Sequence, residues 1–378
     1  MEMAEVGGSR AWIEVSLAAI RANLRLLGHR AGDLPSIAVV KADAYGHGLE
    51  RVCQALARDA AMFGVAAVSE AAVVQQTLGK GAPPILLLGA VLAEDLPTVV
   101  RHGWHLSLST EEELALVAAE SARQRSQASV HLVVDTGMGR IGALESDFLG
   151  LCRAATEQKN IRVCGLASHL PSADEDEAFT QDQLERINAL MREALQEFEF
   201  NPGIHIQNSA GICRFPSAGA QWVRPGLAMY GCSPDPSFQE GLFPALTLKA
   251  RVRLVRELPM GHGISYGRTF ITKRPTRVAT VGIGYGDGYR HSLSGQSAKV
   301  LIGGQKCPIL GRVTMDQTMV DVTDLPTMTS AGEEVVLLGR QGEEEIGLWD
   351  IARKVGTIPW EILTGFTKRL PRIYDEET

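Results

Sequence analysis

The sequence predicts an α/β fold in which a (β/α)8 barrel is followed by a mainly β C-terminal domain. Over residues 35–235, short apolar runs alternate with longer amphipathic segments, a pattern typical of repeated βα units around a parallel sheet. The proline-containing stretch CSPDP at 232–236 ends this alternation. Beyond it, β-like runs are separated by Gly and Pro turns. We therefore predict a barrel domain of residues 1–235 and a β domain of residues 236–378.

The barrel prediction depends on short apolar runs that are each long enough for one buried strand. They are Ile37–Val40, Met62–Ala66, Ile85–Leu88, Trp104–Leu108, Ser129–Val134, Arg162–Ala167, Gly203–Gln207 and Trp222–Arg224. Amphipathic segments before and between these runs predict helices at Leu17–Leu27, Leu49–Arg58, Ser69–Leu78, Thr110–Arg123, Glu145–Glu157 and Asp176–Phe198. Eight strands with intervening helices over about 200 residues predict a closed barrel. A doubly wound open sheet is the structural alternative.

Two of the predicted helices carry start signals. Ser16 precedes the first helix and is a candidate N-cap. Thr110 is followed three residues later by Glu113, which is the pattern of a capping box.

The second domain is predicted from runs rich in β-branched residues. They are Leu246–Arg256, Arg277–Val281, Ala298–Ile302, Met319–Val322 and Glu334–Leu338, with one helix at Leu348–Val355. The strand-like segment Trp12–Val15 near the start of the chain is expected to pair with this domain rather than with the barrel.

Composition excludes several classes of protein. The formal net charge of −7 over 378 residues argues against general nucleic-acid binding. The stretch MEMAEVGGSRAW lacks a signal-peptide pattern, and no window approaches the ~20 apolar residues of a membrane span. The six cysteines show no CxxC pair and no metal-ligand spacing, so we expect buried free thiols and no metal. These features predict a cytoplasmic globular protein.

Chemistry in a (β/α)8 barrel is expected at the C-terminal ends of the strands. Polar and glycine-rich segments follow five of the predicted strands: Lys41, Asp135–Arg140, Ser168-His169, Asn208–Gly211 and Arg224–Gly226. Lys41 closes an apolar run, so its amine should be partly desolvated, which favours the unprotonated, nucleophilic form. A surface lysine that only packs its stem on apolar neighbours is the alternative interpretation.

The segments after the last two strands suggest a phosphate site. Small residues in NSAG (208–211) and RPG (224–226) allow backbone N–H groups to approach an anion closely. A lysine at the first strand and a phosphate site at the last two together indicate pyridoxal phosphate (PLP), whose aldehyde and phosphate need those two anchors.

The motifs at these positions resemble those of a known family. The stretch VVKADAYGHG, which contains Lys41 and Tyr45, is similar to the cofactor-lysine signature of the alanine racemases. The chain resembles this family along nearly its whole length. The resemblance implies that Lys41 holds PLP covalently and that Tyr45 contacts the phosphate.

The same resemblance assigns roles to other barrel residues. Arg140, in DTGMGRIG, would contact the phenolic oxygen of the cofactor and the substrate carboxylate. His169, in SHLPSADE, would pack against the pyridine ring, with a satisfied core histidine as the alternative. The remaining cofactor contacts would come from Asn208, from Ser209 and the backbone of Gly226 and Leu227 at the phosphate, and from Arg224 at the pyridine nitrogen.

The second domain also resembles the family. GHGISYGRTF places Tyr266 where the family has its second catalytic base. Tyr285, in GYGDGY, is similar to a residue of the substrate entrance. Met315 and Asp316, in VTMDQTMVD, resemble residues of the substrate pocket.

Two positions depart from the family pattern. Many members carry a lysine, often carbamylated, that positions the arginine of DTGMGR, and this chain has Val133 there. Val133 cannot accept a hydrogen bond, so a bound anion or another carboxylate would have to orient Arg140, or Arg140 is held less firmly. Trp360 replaces a tyrosine that commonly touches the phosphate, and an indole N–H can donate but cannot act as a phenol.

The resemblance implies a PLP-dependent racemase that interconverts L- and D-alanine with two bases, Lys41 and Tyr266. In the family, the tyrosine comes from the partner subunit of a homodimer, and the D-alanine supplies cell-wall peptidoglycan. Three alternatives stay open: a PLP-dependent decarboxylase of basic amino acids, a non-catalytic PLP-binding protein, and a racemase of broader specificity for serine or other amino acids.

Overall fold

The computed structural model describes residues 8–216 and 218–375 and divides into two compact units. The barrel unit comprises Ile20–Ala44 and Gly48–Phe243, and the β unit comprises Met1–Ala19, Tyr45–His47 and Pro244–Thr378. The sequence-based boundary at 235/236 and the division at 243/244 lie on either side of a short 3-10 helix, Pro236–Phe238.

The barrel unit is built on parallel strands that follow one another around the sheet. In the described residues these strands are Ile37–Val39, Met62–Val65, Ile85–Leu87, His105–Leu108, Ala128–Asp135, Ile161–Ala167 and Gly203–His205, and a short segment, Ala143–Leu144, pairs beside Ala128–Asp135. Most of their side chains are buried, which explains why they appear in the sequence as short, continuous apolar runs.

The barrel closes through the segment predicted as the eighth strand. Residues 222–224 form isolated parallel bridges rather than a regular strand, with Trp222 opposite His205 and Val223 opposite Ser36. The amide of Ile37 donates to the carbonyl of Val223 at 2.8 Å. The predicted (β/α)8 barrel is therefore confirmed, and the open-sheet alternative is wrong.

Helices separate the barrel strands. They are Leu17–Arg30, Leu49–Leu56, Val68–Leu78, Leu96–His102, Glu111–Gln124, Glu145–Thr156, Glu177–Glu197 and Ser209–Arg214. Ser16 Oγ accepts the amide of Ala19, which confirms the predicted cap. The predicted capping box is only half formed: Thr110 Oγ1 accepts the amide of Glu113, but the Glu113 carboxylate binds the amide of Ser109 rather than that of Thr110.

The β unit contains a sheet whose strands form a closed ring. Leu246–Leu258, Thr276–Val281, Thr318–Asp321, Gln305–Leu310, Lys299–Ile302 and Glu334–Gln341 pair in that order, and the last pairs again with the first. Ala11–Val15 pairs antiparallel with Leu246–Leu258 and parallel with Arg372–Tyr374. Shorter strands lie at Gly263–Ile264, Phe270–Ile271 and Glu344–Ile346, and helices at Leu348–Val355 and Pro359–Thr364.

Within the part of the chain that is described, no helix combines the length and the apolar character that a membrane span requires.

Candidate functional site

Lys41 begins an unusual backbone segment just after the first barrel strand. The next four residues, 42–45, all have positive φ values between 51° and 55° and form one left-handed helical turn. This conformation costs roughly 1–2 kcal/mol for each L-amino acid, because Cβ crowds the following carbonyl oxygen. Such strain is maintained only where surrounding contacts over-determine the backbone, and it is concentrated at functional sites.

Two carboxylates hold the left-handed turn. Glu70 Oε1 accepts the amide of Ala42 at 2.7 Å, while its other oxygen accepts the amides of Ala66 and Ala67. Asp43 Oδ1 accepts the amide of Leu49 at 2.8 Å. Sequence reasoning missed Glu70, because an acidic residue in the first turn of a helix is ordinarily explained by the helix dipole alone.

The environment of Lys41 favours its neutral form. Burial lowers the pKa of its amine, the positive charge of Arg140 lowers it further, and Glu70 partly opposes both effects. A partly desolvated amine near a second cation gives up its proton more readily than a surface lysine. Lys41 therefore has the properties of a nucleophile or a base.

Arg224 lies at the end of the segment that closes the barrel and is only 7% exposed. Its guanidinium donates to the carbonyl oxygens of His205, Ser168 (2.6 Å) and Ile206 (2.9 Å), and to His205 Nδ1 at 2.7 Å. In the described residues no carboxylate pairs with it. Burial, followed by repulsion from Arg140, lowers the pKa of Arg224 to about 10.

His169 lies beside Arg224 as a neutral ring. Its Nδ1 is 3.3 Å from Arg224 Nη2, and its Nε2 is 3.5 Å from Asn208 Nδ2. A neutral imidazole has one acceptor nitrogen, so His169 cannot accept from both donors. Arg224 Nη2 also donates to the carbonyl oxygens of Ser168 and Ile206 at shorter distances. Burial and the neighbouring cations, Arg224 first, lower the pKa of His169 to about 3.

The predicted phosphate segments pack against each other in the barrel unit. Asn208 caps the helix Ser209–Arg214 by accepting the amide of Gly211 at 3.0 Å. Ser209 Oγ accepts the amides of Gly226 and Ala228 at 2.9 and 3.2 Å, so its own hydrogen can be donated elsewhere. Leu227 begins a 3-10 helix, Leu227–Tyr230, where an amide lacks an intrahelical acceptor.

Arg140 ends a loop that a single carboxylate organises. Asp135 accepts the backbone amides of residues 137, 138 and 139 at 2.8–2.9 Å. Arg140 itself is exposed, and in the described part of the chain it makes no hydrogen bond or ion pair. Val133 is buried in the preceding strand and offers no acceptor.

Tyr266 is the most exposed tyrosine predicted for the site, at 70%. It follows Ser265, whose φ of 63° is strained for a residue with a Cβ, and precedes Gly267, whose φ of 69° glycine adopts freely. Tyr266 and Tyr285 line one depression of about 360 Å³ in the β unit, together with His291, Arg312 and Val313.

An ion network fixes the other predicted residues of the β unit. Asp287 is fully buried and pairs with Arg10 at 2.6 Å, while Asp316 pairs with Arg369 at 2.5 Å. The Arg369 guanidinium holds the pKa of Asp316 below its ordinary value. The amide of Gly286 donates to the carbonyl of Met315 at 2.9 Å, so the Tyr285 loop and the Met315 loop lie together.

Tyr45 and Trp360 belong to the β unit as well. Burial raises the pKa of Tyr45 to about 12, which keeps its phenol protonated and able to donate. Trp360 is half-buried near the start of the helix Pro359–Thr364.

The donor set of the barrel unit fits an anionic aldehyde cofactor such as PLP. It offers an amine with a lowered pKa at Lys41, a hydroxyl that can donate a hydrogen bond at Ser209, and a guanidinium that can only donate hydrogen bonds at Arg224. Among the described residues, no cluster of His, Cys, Asp and Glu could hold a metal ion. The six cysteines are free thiols, and burial raises the pKa of Cys53, Cys152 and Cys232 to about 12, which disfavours a nucleophilic role.

A (β/α)8 barrel with an activated lysine at its mouth, followed by a closed β unit, defines a class of two-domain barrel enzymes. The chain belongs to the alanine racemase family, as its motifs predict. The family profiles "Alanine racemase, N-terminal domain" and "Alanine racemase, C-terminal domain" match residues 15–234 and 245–374.

Individual relatives agree with this assignment. The alanine racemase of Symbiobacterium thermophilum is 43% identical over 373 residues, covering 97% of each chain. The crystal structure of alanine racemase from D-cycloserine-producing Streptomyces lavendulae has a TM-score of 0.91 and 33% identity, covering 98% of each chain. That of Bartonella henselae alanine racemase with covalently bound pyridoxal phosphate has a TM-score of 0.87 and 29% identity, covering 97% of this chain and all of that one.

The left-handed turn predicts an unusual response to glycine. Ala42→Gly should raise the free energy of unfolding by about 0.5–1 kcal/mol, because glycine removes the Cβ strain and Ala42 packs against little. Ala115→Gly, in an exposed part of the right-handed helix Glu111–Gln124, should lower it by about 1 kcal/mol. Urea unfolding of the two variants measures whether each substitution raises or lowers the free energy of unfolding. Destabilisation by the Ala42 change would contradict the strain described for this turn.

The buried histidines predict a loss of stability in acid. Burial lowers the pKa of His105 to about 4 and those of His131 and His205 well below the ordinary value of 6.5. As the pH falls below about 6.5, the unfolded chain binds protons that the folded chain does not. Each histidine therefore lowers the free energy of unfolding by about 1.4 kcal/mol per pH unit. Above that pH these histidines do not make the free energy of unfolding depend on pH.

Guanidinium unfolding between about pH 7 and pH 4.5 measures this slope. His105→Gln should reduce the slope by about one proton, whereas His102→Asn, on the surface, should leave it unchanged. A stability that does not change over this range would show that the three rings protonate in the folded chain.

Proposed function

We propose that this protein is a PLP-dependent alanine racemase that interconverts L- and D-alanine. The observation that carries the proposal is the amine of Lys41, which lies at the mouth of a barrel and whose pKa is lowered by burial and by the positive charge of Arg140. Family membership and the names of the relatives support it. PLP, when bound, withdraws electrons from the α-carbon of an amino acid and so acidifies its hydrogen.

The barrel unit would hold the cofactor through residues of different character. Lys41 would bind its aldehyde carbon, and Ser209 would donate to the phosphate together with the amide of Leu227. The amide of Gly226 donates to Ser209 Oγ at 2.9 Å and would orient that hydroxyl toward the phosphate. Tyr45 would contribute its phenol there, while Asn208 keeps this segment in place through its helix cap. The structure of the Bartonella henselae relative, which has covalently bound pyridoxal phosphate, supports PLP as the cofactor.

Arg224 would face the pyridine nitrogen as a donor, with His169 packed beside the ring. A guanidinium always carries its protons, so it can donate a hydrogen bond to that nitrogen but cannot accept one from it. The nitrogen would therefore stay largely unprotonated and withdraw electrons less strongly. This restraint would limit side reactions such as transamination.

Inversion of the α-carbon needs a proton removed from one face and another delivered to the opposite face. Lys41 would serve one face and Tyr266 the other. A phenol acts as a base only as its phenolate, which a nearby cation favours, and Arg312 lines the same depression as Tyr266. Following the family, Tyr266 would be contributed by the partner subunit of a homodimer.

The substrate would be bound by its carboxylate and admitted past the β unit. Arg140 would contact the carboxylate, while Met315, Asp316 and Tyr285 would shape the entrance. A cytoplasmic enzyme of this kind would supply D-alanine for peptidoglycan. A broader racemase that also accepts serine is the second candidate, because Arg140 is exposed and Val133 gives it no acceptor.

The reaction itself is tested with isotopic solvent. The PLP-loaded protein is incubated in D2O with L-alanine, L-serine or a larger L-amino acid, and the products are separated by chirality. We expect D-alanine with deuterium at the α-carbon. Lys41→Ala should abolish the exchange, and Lys80→Ala, a surface lysine, should not. Exchange of L-serine at a comparable rate would favour the broader racemase, and no exchange of any amino acid would refute the proposal.

Sharing of the site between subunits is tested by complementation. Inactive Lys41→Ala and Tyr266→Phe proteins are mixed and allowed to exchange subunits. Half of the dimers become mixed, and one of their two sites is intact, so activity should return to roughly a quarter of the wild-type value. Complete lack of recovery, despite subunit exchange verified by mass spectrometry, would show that the two residues act within one chain or not together.

A further inference from the structure

Three buried histidines form a row inside the barrel that ends at Arg224. Arg224 Nη1 is 2.7 Å from His205 Nδ1, and His205 Nε2 is 2.7 Å from His131 Nδ1. His131 Nε2 is in turn 2.9 Å from His105 Nδ1. The three rings come from three different strands, and none is more than 7% exposed. The row begins at the first residue of the strand His105–Leu108 and therefore crosses the barrel interior.

The row has only one consistent hydrogen-bond direction. A guanidinium can only donate, so His205 Nδ1 must be an unprotonated acceptor and the ring proton of His205 must be on Nε2. That proton is donated to His131 Nδ1, which places the proton of His131 on Nε2. By the same step His105 accepts at Nδ1 and is protonated at Nε2. One cation at the barrel end thus sets three tautomers.

The same reasoning keeps all three rings neutral. A second proton on His105 would be on Nδ1 and would be donated to His131 Nε2. The proton of His131 would then have to be on Nδ1 and be donated to His205 Nε2. The proton of His205 would in turn be on Nδ1, where it faces Arg224. Two donors would then face each other at His205 Nδ1, and a buried hydrogen bond would be lost. Burial lowers the pKa of each of the three rings, in agreement with this reasoning.

The neighbouring strands leave space for the row. A Cβ at Gly165 would overlap the imidazole of His131, so only glycine fits at that position. The pairing of the strand Ala128–Asp135, which carries His131, with the strand Ile161–Ala167, which carries Gly165, shifts register between Val130 and His131. Trp222 stacks on His205 at 6.3 Å between ring centroids, with an interplanar angle of 16°.

We propose that His205, His131 and His105 are positioning residues for Arg224, arranged as a one-directional row that holds its guanidinium as a charged donor. The direction of the row depends only on the contacts described above, whereas its importance for the reaction rests on the proposed function. The row satisfies Arg224 with neutral acceptors and leaves its positive charge uncancelled for the cofactor.

The tautomers can be read directly by NMR. The protein with its bound cofactor is labelled with ¹⁵N-histidine, and two-bond ¹H–¹⁵N correlations distinguish Nε2–H from Nδ1–H rings. Signals are assigned by their loss in single His→Gln variants. We expect all three rings to be neutral and protonated at Nε2. An Nδ1–H tautomer, a mixture of tautomers or a protonated ring at any of the three positions would overturn the proposal. This measurement does not depend on racemase activity.

Exchange of the terminal donor tests whether Arg224 sets the direction. Arg224→Lys retains a donor, so the three tautomers should not change. Arg224→Glu replaces it with an acceptor, and all three rings should become Nδ1–H. Unchanged tautomers in a folded Arg224→Glu protein would refute the role of Arg224. If that variant does not fold, the wild-type tautomers remain decisive.

Kinetics then separate positioning from packing. His205→Leu removes the acceptor for Arg224 and should lower kcat roughly ten-fold, with little change in the KM for alanine. His205→Asn places a carbonyl oxygen near the former Nδ1 and should recover most of the loss. Equal losses in both variants would contradict a positioning role. If no racemase activity exists at all, the proposed function fails while the tautomer measurement still stands.

Discussion

The burial of one cation, Arg224, constrains much of the barrel unit. Its two Nη groups donate to the carbonyl oxygens of Ser168, His205 and Ile206 and to a ring nitrogen of His205. These acceptors belong to the ends of two neighbouring strands, and the arginine itself closes the barrel. Loss of any acceptor would leave a buried charged donor unpaired, at a cost of about 1–3 kcal/mol or more. The mouth of the barrel is therefore held in one arrangement by hydrogen bonds as well as by its apolar core.

A second constraint lies at Lys41, where the backbone that follows is strained. Four left-handed residues follow it, and the carboxylates of Glu70 and Asp43 hold this segment by accepting the amides of Ala42 and Leu49. A strained and rigid turn beside Lys41 limits the directions in which its long side chain can reach. The carboxylate that holds the turn also opposes the lowering of the Lys41 pKa.

The sequence predicts the barrel well because its strands are continuous apolar runs, and strand order then places the polar segments at one end. It predicts the β unit less completely. The strand Gln305–Leu310 was missed, because Pro308 and alternating polar residues weaken its pattern. The left-handed turn could not be foreseen either, since Ala, Asp and Tyr all favour right-handed backbone. The histidine row was missed because His105, His131 and His205 are far apart in sequence and become neighbours only when the barrel closes.

Neutral acceptors and carboxylates would have different consequences in this barrel. A carboxylate beside Arg224 would satisfy the same N–H groups but would cancel the charge, since a buried ion pair is locally neutral. Imidazoles and carbonyls satisfy the donors and leave a net positive charge, which Arg140 reinforces. Burial, together with that charge, lowers the pKa of His169, so the site attracts an anion and also keeps a nearby base unprotonated. Both properties follow from the choice of uncharged partners for a single buried arginine.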